Sequence, residues 1–210
     1  MTTKIVLAST NAGKVREFAR LLSDPRISVL NMSSVVPAGF VVEETGTTFE
    51  ENAWLKASAV AAVTGLPALA DDSGLVVDAL GGRPGVYSAR YAGPGATDEA
   101  NNELLLRELT GVPFERRTAR FVCCLVCAAP SASGIQRIAT AQAAVEGHIG
   151  PSARGEGGFG YDPLFLPVDF PLETTASLSG ADKDRISHRG QAARRILGPL
   201  AAWLDRQTPP

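Results

Sequence analysis

A short apolar run that ends in two adjacent carboxylates, at residues 68–78, constrains the fold of this chain most strongly. Asp71 and Asp72 are followed by Ser73, and a second apolar run begins at Leu75. The pattern predicts a strand, an acidic turn and a second strand. In open α/β sheets ligands bind at strand ends, so two acids there favour a site for a divalent cation or for the activation of water. An ordinary solvated turn is the alternative, because Asp, Ser and Gly are common turn residues.

Near the N-terminus, a strand-like run is followed by a polar segment and a helical pattern. The strand occupies residues 4–9, and Val15, Phe18 and Leu22 form one apolar stripe of a helix. A strand, a polar turn and a helix N-terminus together form a geometry that receives phosphate. The segment lacks the first glycine of a P-loop and the Ser or Thr that follows its lysine, so the pattern does not favour a kinase-like P-loop.

The side chains of this polar segment nevertheless suit a phosphate. Ser9, Thr10 and Asn11 offer hydrogen bonds, and Lys14 offers a positive charge. A helix N-cap followed by a solvated lysine explains the same residues equally well. Both interpretations stay open at this point.

The clearest helix start in the chain is a capping box formed by Thr48 and Glu51. The alanine-rich segment that follows ends at Gly65, as helices commonly do. This helix leads back to the acidic run at residues 68–78, so the loop that precedes it, which contains Glu44, can lie near the two aspartates. A glutamate from that loop would complete a site for a hard cation.

The middle of the chain mixes short strands with helices. Residues 81–95 form a long glycine-rich loop whose Tyr and Arg content argues against disorder. Thr97 caps a further helix, and residues 117–129 and 135–145 predict an antiparallel hairpin. The pattern as a whole predicts an α/β or α+β domain with a mixed sheet.

A second glycine-rich segment, at residues 155–163, surrounds an aromatic ring. Its glycines let the backbone come close to a flat ligand, and Phe159 offers a ring face for stacking. Pro163 holds Asp162 in an extended conformation. An aromatic residue among glycines, with an aspartate beside it, favours a pocket for a nucleobase.

The start of the C-terminal helix carries two residues of locally unfavourable charge. Ser187 is a natural N-cap, which places His188 and Arg189 in the first turn, where cations oppose the helix dipole. Departures from local rules commonly mark function. His148 has no comparable neighbours and is expected at the surface.

Composition restricts the class of protein further. The 210 residues carry a net charge of −2, which gives no global basic field for a nucleic-acid polymer. No run of about 18 apolar residues is present, so no membrane span is expected. The first residues lead directly into a strand and leave no room for a signal peptide. Cys123, Cys124 and Cys127 lie in one apolar run, which is typical of reduced thiols in a core. We therefore expect a single cytoplasmic domain over residues 1–210.

Five segments together resemble one enzyme family, the inosine/xanthosine triphosphate pyrophosphatases. The segments occur in the family's order, and the resemblance runs from Ile5 to Ile196. One departure is Ser177, where family members usually carry a glutamate. The segments are Ser-Thr-Asn-Ala-Gly-Lys at 9–14, Ala-Asp-Asp-Ser-Gly-Leu at 70–75, Gly-Gly-Arg-Pro-Gly-Val-Tyr-Ser-Ala-Arg-Tyr at 81–91, Gly-Gly-Phe-Gly-Tyr-Asp-Pro at 157–163 and Ser-His-Arg-Gly at 187–190.

The resemblance implies both a fold and an activity. The family fold is α/β, an elongated mixed β-sheet flanked by helices, with two lobes around a central nucleotide-binding cleft, and it usually forms a homodimer. Its members are pyrophosphatases that hydrolyse the non-standard purine nucleoside triphosphates ITP, dITP and XTP to the monophosphate and pyrophosphate, which cleanses the nucleotide pool. The expected partners are a purine nucleoside triphosphate and a second copy of the chain, with no nucleic-acid polymer and no membrane.

The resemblance also implies roles for individual residues. Asp72 resembles the general base that deprotonates the attacking water, and Glu44 and Asp72 resemble the ligands of the catalytic Mg²⁺. Phe159 would stack on the purine. The substrate-binding set is Ser9, Thr10, Asn11, Ala12, Gly13, Lys14 and Ser73 for the triphosphate, Gly160 and Tyr161 beside Phe159, and Asp162, Lys183, His188 and Arg189 for the base edge.

Two alternatives to this activity remain. A Maf-like pyrophosphatase acting on modified nucleotides would carry Ser-Pro-Arg-Arg after the first strand, whereas this chain has Asn-Ala-Gly-Lys at 11–14. A nucleotide-binding module without turnover is the second alternative, and the presence of both Glu44 and Asp72 argues against it.

Overall fold

The computed structural model describes residues 2–207, which form six strands and five α-helices within that range. Short 3₁₀ helices lie between several of them, among them Gly85–Arg90 in the long loop at residues 81–95. The elements are β1 (Thr3–Leu7), α1 (Ala12–Leu21), β2 (Ile27–Asn31), α2 (Phe49–Thr64), β3 (Ala68–Val77), α3 (Asp98–Glu108), β4 (Thr118–Ser131), β5 (Gly134–Ile149), β6 (Phe165–Pro167), α4 (Gly180–Ile186) and α5 (His188–Gln207).

The six strands form one mixed sheet in the order β2-β1-β3-β4-β5-β6. β1 pairs in parallel with both β2 and β3, whereas β5 and β6 are antiparallel. β4 and β5 are neighbours joined by only Ala132 and Ser133, a connection that permits only an antiparallel hairpin. The predicted α/β class, the mixed sheet and the hairpin are therefore confirmed.

Helix α1 begins directly after Asn11, whose side chain caps it. Asn11 Oδ1 accepts hydrogen bonds from the backbone N–H groups of Gly13 (2.8 Å) and Lys14 (3.1 Å). Phe18 and Leu22 on the predicted apolar stripe are buried. The N-cap interpretation of the polar segment is thus correct, and it leaves the phosphate interpretation intact, because a capped helix N-terminus still presents N–H groups.

Helices α2 and α3 start where their sequences predict. The Thr48 hydroxyl accepts from Glu51 N at 3.1 Å, and the Glu51 carboxylate accepts from Thr48 N at 3.1 Å, which completes the capping box. α2 ends at Gly65, whose φ of 67° is the left-handed conformation that favours glycine. Thr97 caps α3 by accepting from Ala100 N.

Residues 68–77 form one continuous strand, β3, so the predicted acidic turn is wrong. Asp71 and Asp72 are strand residues and both are buried. Carboxylates are rarely placed inside a strand because their burial is costly unless each is paired. Here Lys14 Nζ lies 2.8 Å from Asp71, and Lys56 Nζ lies 3.2 Å from Asp72. The pairing cations come from other elements, and a local pattern does not reveal them.

Contacts between residues divide the chain into two compact units. The first unit comprises residues 2–72, Cys123–Gln142 and residues 189–207. The second unit comprises Ser73–Val122 and Ala143–His188. Strands β3, β4 and β5 each contribute residues to both units.

Each unit has its own apolar core. In the first unit, buried alanines and Val60 of α2 pack with Val6 and with Cys124 and Val126 of β4. In the second unit, Leu105 of α3 packs with aromatic and aliphatic residues that include Phe165. The three cysteines are buried, as predicted, and burial raises the pKa of the Cys127 thiol to about 12.

The C-terminal segment contains one helix that the sequence does not predict, α4, which carries Lys183. Helix α5 begins at His188, as predicted, and continues past Pro199 to Gln207. Among the described residues, no helix has the combination of length and apolar character that crossing a membrane requires.

Candidate active site

The Asp72 carboxylate lies in a network of charged and polar side chains in the first unit. Asp72 Oδ1 is 3.2 Å from Lys56 Nζ, and Asn52 Nδ2 donates to Asp72 Oδ2 at 3.2 Å. The same Lys56 ammonium lies 3.0 Å from Glu44 Oε1. Glu44 and Asp72 therefore share one cation, and the expectation that the loop containing Glu44 lies near the two aspartates is confirmed.

The pKa of Asp72 is raised in this environment. Burial is the main cause, the negative charge of Glu44 adds to it, and Lys56 and Asn52 oppose it. For Lys56, burial lowers the pKa, but the charges of Asp72, Asp71 and Glu44 outweigh burial and raise it. A carboxylate with a raised pKa is a stronger proton acceptor than an exposed one, which suits a general base.

Asp71, the neighbouring residue, lies in the opposite electrostatic environment. Its Oδ2 atom is 2.8 Å from Lys14 Nζ and 3.8 Å from Arg189 Nε. Burial raises the pKa of Asp71, but Lys14 and Arg189 outweigh it, so the pKa lies well below its usual range. Adjacent residues of a strand point to opposite faces. Asp71 is thus the charged partner of two cations, whereas Asp72 is poised to take up a proton.

Arg189 joins this arrangement from the first residues of α5. Its Nη1 atom lies 3.4 Å from Glu17 Oε2 on α1, and its side chain is buried. Two carboxylates, from Glu17 and Asp71, thus surround the guanidinium. The negative charge of these carboxylates compensates for the unfavourable position of the Arg189 cation in the first turn of α5, a position that the sequence predicts.

A pocket of about 270 Å³ opens beside these groups in the first unit. Its polar lining combines hydroxyl and amide groups with two ammonium groups and two carboxylates, a composition that suits an oligophosphate bound together with a divalent cation. The Ser9 hydroxyl accepts from Asn11 N at 3.2 Å, which shapes the turn above the α1 N-terminus. The polar lining residues are Ser9, Thr10, Asn11, Lys14, Glu44, Lys56 and Asp71.

Only some of the residues predicted to bind the triphosphate line this pocket. Gly13 lies in the first turn of α1, and Ala12 begins that helix, but the Ala12 side chain lies outside the described part of the chain. Ser73 directly follows Asp72 along β3 and belongs to the second unit.

The carboxylates of Glu44 and Asp72 fit the donor set of a magnesium ion. Mg²⁺ is commonly bound by one or two carboxylates together with waters and substrate phosphates. Both carboxylates already converge on a single cation, the Lys56 ammonium, which places two oxygen donors around one positive centre. Among residues 2–207, no group of three or more His, Cys, Asp or Glu side chains forms a complete protein cage for a metal.

In the second unit, Asp162 organises the glycine-rich aromatic segment. Its Oδ2 atom accepts from Phe159 N at 2.9 Å and from Lys183 Nζ at 2.6 Å, while Oδ1 accepts from Thr175 Oγ1 at 2.9 Å. The Lys183 ammonium lies 5.5 Å from the centroid of the Phe159 ring. Gly158 must be glycine here, because a Cβ atom would lie 2.2 Å from Asp162 Oδ2 and φ is 80°.

The side chains of this segment differ in how much they present to solvent. Phe159 is 37% exposed, so its ring is accessible to a ligand. Tyr161 is buried instead, and its hydroxyl donates to the carbonyl of Ser88 at 2.8 Å. The Tyr161 side chain, predicted to bind substrate, is therefore a component of the core. Asp162 is also buried, with both carboxylate oxygens bound to protein groups.

His188 stacks on an aromatic residue of the second unit. Its ring is 5.0 Å from that of Phe121, with an interplanar angle of 12°, and the residue is buried. His148, expected at the surface, is half-buried and stacks on Phe114 at 5.1 Å. Ser177, the departure from the family pattern, lies 3.0 Å from Thr174 Oγ1 through its hydroxyl.

Two residues of the candidate site, Asn52 and Lys56, were missed from the sequence. Asn52 is fully buried and also accepts from Gly46 N at 2.8 Å, so it connects the Glu44 loop to Asp72. A signal for both existed: they are four residues apart and share one face of the alanine-rich helix. A buried amide and a lysine on that face need polar partners, and the acidic strand supplies them.

Comparison with known proteins identifies one family and relatives that share one name. The sequence model of the Ham1 family matches residues 5–198. A dITP/XTP pyrophosphatase from Cutibacterium acnes is 48% identical over 206 residues, covering 97% of this chain and 98% of that protein. Another from Nitratidesulfovibrio vulgaris is 53% identical over 199 residues, covering 92% and 93%.

Solved structures agree with these relatives. A HAM1 protein from Coxiella burnetii is 40% identical with a TM-score of 0.85, covering 96% of this chain and 100% of that chain. The Ham1 protein of Staphylococcus aureus is 42% identical with a TM-score of 0.80, covering 98% and 100%. The resemblance carried by the five sequence segments is confirmed over nearly the whole chain, which therefore belongs to the Ham1 family.

Proposed function

We propose that this protein is a nucleoside-triphosphate pyrophosphatase that hydrolyses ITP, dITP and XTP to the monophosphate and pyrophosphate. The observation that carries the proposal is the Asp72 carboxylate, buried with a raised pKa beside Glu44 and Lys56. The dITP/XTP pyrophosphatases similar to this chain along nearly its full length support the same activity.

Asp72 acts as the general base in this proposal. It takes a proton from a water molecule whose oxygen attacks the α-phosphorus, and the bond from the α-phosphorus to the oxygen that bridges to the β-phosphate breaks. Pyrophosphate leaves with the electron pair of that bond. A bound Mg²⁺ would neutralise charge on the phosphate oxygens, and Glu44 and Asp72 are the residues that would hold it.

Lysine residues supply the remaining charge for the triphosphate. Lys14 is at the α1 N-terminus and Lys56 is on α2, and both line the pocket of the first unit. Each is paired with an aspartate of β3. Because Asp71 holds the Lys14 ammonium at the pocket wall, little side-chain entropy is lost when a phosphate replaces solvent there.

Hydrogen-bond donors in the protein determine which nucleobase is preferred. Hypoxanthine and xanthine carry a keto acceptor at C6, where adenine carries an amino donor. Lys183 and Arg189 are donors only, so they favour a keto group, and sites that read a polar group in this way discriminate by as much as about 10⁴-fold. Phe159 supplies the stacking surface. Asp162 contributes by holding Lys183 and the Phe159 backbone rather than by facing the base.

The setting of the reaction is also part of the proposal. We propose that the protein acts as a homodimer on free nucleotides in the cytoplasm. The net charge of −2 supports small nucleotides rather than a nucleic-acid polymer as substrates.

Product analysis tests the proposed function. The purified protein is incubated with Mg²⁺ and, in parallel, ITP, XTP, ATP or GTP, and pyrophosphate is separated from orthophosphate. Pyrophosphate together with inosine or xanthosine monophosphate, and little product from ATP, is the expected result. Orthophosphate as product, or equal turnover of ATP, would contradict it. Turnover restricted to modified pyrimidine triphosphates would favour a Maf-like activity, and binding without turnover would favour a non-catalytic module.

A further inference from the structure

Helix α3 binds the backbone of both glycine-rich loops of the second unit. Asn101 Oδ1 accepts from Ala92 N at 2.8 Å in the long loop at residues 81–95. Asp98 Oδ2 accepts from Gly160 N at 2.6 Å, and Asn102 Nδ2 donates to Gly160 O at 2.9 Å. Three side chains within five residues thus bind loop backbone, which exceeds what capping of the helix itself requires.

Asp98 and Asn102 bind both backbone polar groups of one residue. They are four residues apart, so their side chains lie on one face of α3. Gly160 has a φ of 62°, a left-handed conformation in which glycine is favoured and which an unrestrained glycine leaves readily. Fixing such a residue removes backbone conformational freedom that glycine has more of than any other residue.

Gly160 directly follows Phe159, whose own N–H group is held by Asp162 at 2.9 Å. The backbone is therefore restrained on both sides of the exposed ring, by Asp162 before it and by α3 after it. A ring that is presented in one orientation before a ligand arrives loses less conformational entropy on binding.

We propose that Asp98 and Asn102 are positioning residues for substrate binding, which hold Gly160 so that the Phe159 ring is oriented for stacking on the purine. The proposal rests on the proposed function, in which Phe159 binds the base. It assigns to α3 an effect on KM rather than on the chemical step, because the chemical step belongs to the groups around Asp72.

Steady-state kinetics with ITP tests the proposal. Asn102→Asp replaces the donor by an acceptor that faces the Gly160 carbonyl, and we expect KM to rise about tenfold with kcat changed less than about twofold. Asp98→Ala is expected to raise KM about threefold, since its hydrogen bond is exposed. Asp98→Asn retains an acceptor oxygen and should restore most of the wild-type KM. Glu99→Ala is the matched control, because Glu99 is the other acid of the same helix turn.

A double-mutant cycle separates positioning from a general structural effect. In a Phe159→Ala background, the ring to be oriented is absent, so Asn102→Asp should change KM less than about twofold. If Asn102→Asp raises KM about tenfold in that background as well, the proposal is overturned, because the effect of the substitution would then not pass through Phe159.

Hydrogen exchange without substrate tests the restraint independently of the proposed function. The backbone amides of residues 157–162 should exchange faster in Asn102→Asp and Asp98→Ala than in the wild type and in Glu99→Ala. Unchanged exchange would overturn the proposal even if KM rises. If the wild-type protein does not hydrolyse ITP, the proposed function fails, and unchanged or faster exchange still decides whether α3 restrains the loop.

Discussion

The acidic cluster of the first unit, formed by Glu44, Asp71 and Asp72, and the base loop of the second unit, residues 157–163, are stabilised by different interactions. Buried charges hold the acidic cluster, with Lys14 and Lys56 as counterions. The base loop is held mainly by hydrogen bonds to its backbone. A change in a buried ion pair leaves a charge uncompensated, whereas a change in the loop releases flexible chain. We therefore expect substitutions in the acidic cluster to affect catalysis and stability, and substitutions that affect the loop at residues 157–163 to change substrate affinity.

The largest expected effect comes from Asp72→Asn, which removes the proton acceptor. Turnover should fall by about 10² to 10⁴, the usual contribution of a general base. The variant should fold normally, because the raised pKa of Asp72 means that its charge is unfavourable in the folded state. The rate of pyrophosphate release and the thermal unfolding midpoint are the measurements. An unchanged rate would falsify the role of Asp72 as base.

Asp71→Asn should instead lower the free energy of unfolding. The two adjacent acids would then differ in role, Asp72 in catalysis and Asp71 in stability. Removing one partner of a buried ion pair costs about 3–5 kcal/mol, and here it leaves Lys14 and Arg189 without their shared carboxylate. Because the pKa of Asp71 is lowered by folding, its contribution is present above the unfolded pKa and is lost as pH falls below it.

Urea unfolding at pH 7 measures this loss. Asp24→Asn is the matched control, because Asp24 pairs with Arg26 at the surface, and we expect little change from it. Equal effects of the two substitutions would show that burial does not distinguish these ion pairs.

A smaller effect, on affinity, is expected for Phe159→Ala. Loss of a base-stacking ring costs about 1–3 kcal/mol, so KM for ITP should rise at least about fivefold with a smaller change in kcat. Phe114→Ala is the matched control, since Phe114 is another half-exposed phenylalanine of the second unit and stacks on His148. A loss of kcat at constant KM would argue against a stacking role.

The smallest expected effect concerns Tyr91 in the long loop of the second unit. Its hydroxyl donates to Glu108, and burial together with that negative charge raises the pKa of Tyr91 to about 12. A raised folded pKa stabilises the protein below the unfolded value of about 10 and ceases to do so as pH rises through about 12.

Tyr91→Phe cannot ionise and should therefore lose less stability than the wild type between pH 10 and 12, with a difference below about 1 kcal/mol because the group is partly exposed. The free energy of unfolding of both proteins across that range is the measurement. Parallel curves would exclude the Tyr91–Glu108 interaction as a source of alkaline sensitivity.

The sequence predicted the elements whose signals are local. The capping box at Thr48 and Glu51 and the glycine that ends α2 depend only on neighbouring residues, and the structure has them where the sequence placed them. The strand character of Asp71 and Asp72 was not predictable in this way. A turn is the better solution for two adjacent acids unless cations from other segments approach them, and Lys14 and Lys56 are 57 and 16 residues away in sequence.

The same reasoning explains the residues of the candidate site. Phe159 was recognisable because glycines and an aromatic ring are adjacent in sequence. The restraint of Gly160 by Asp98 and Asn102 was not, because it joins segments that are 62 and 58 residues apart. Tyr161 was assigned to substrate by its neighbours, but its ring reaches the core of the second unit.

The course of the chain between the two units has a consequence for recombining this protein with its relatives. The chain passes from one unit to the other four times, and two of these passages separate adjacent residues of the predicted site, Asp72 from Ser73 and His188 from Arg189. A chimera that takes the second unit from a relative would have a splice point inside each pair. If the predicted site residues read the base as proposed, such a chimera inherits them from two proteins, and exchange of substrate preference between relatives must preserve both junctions.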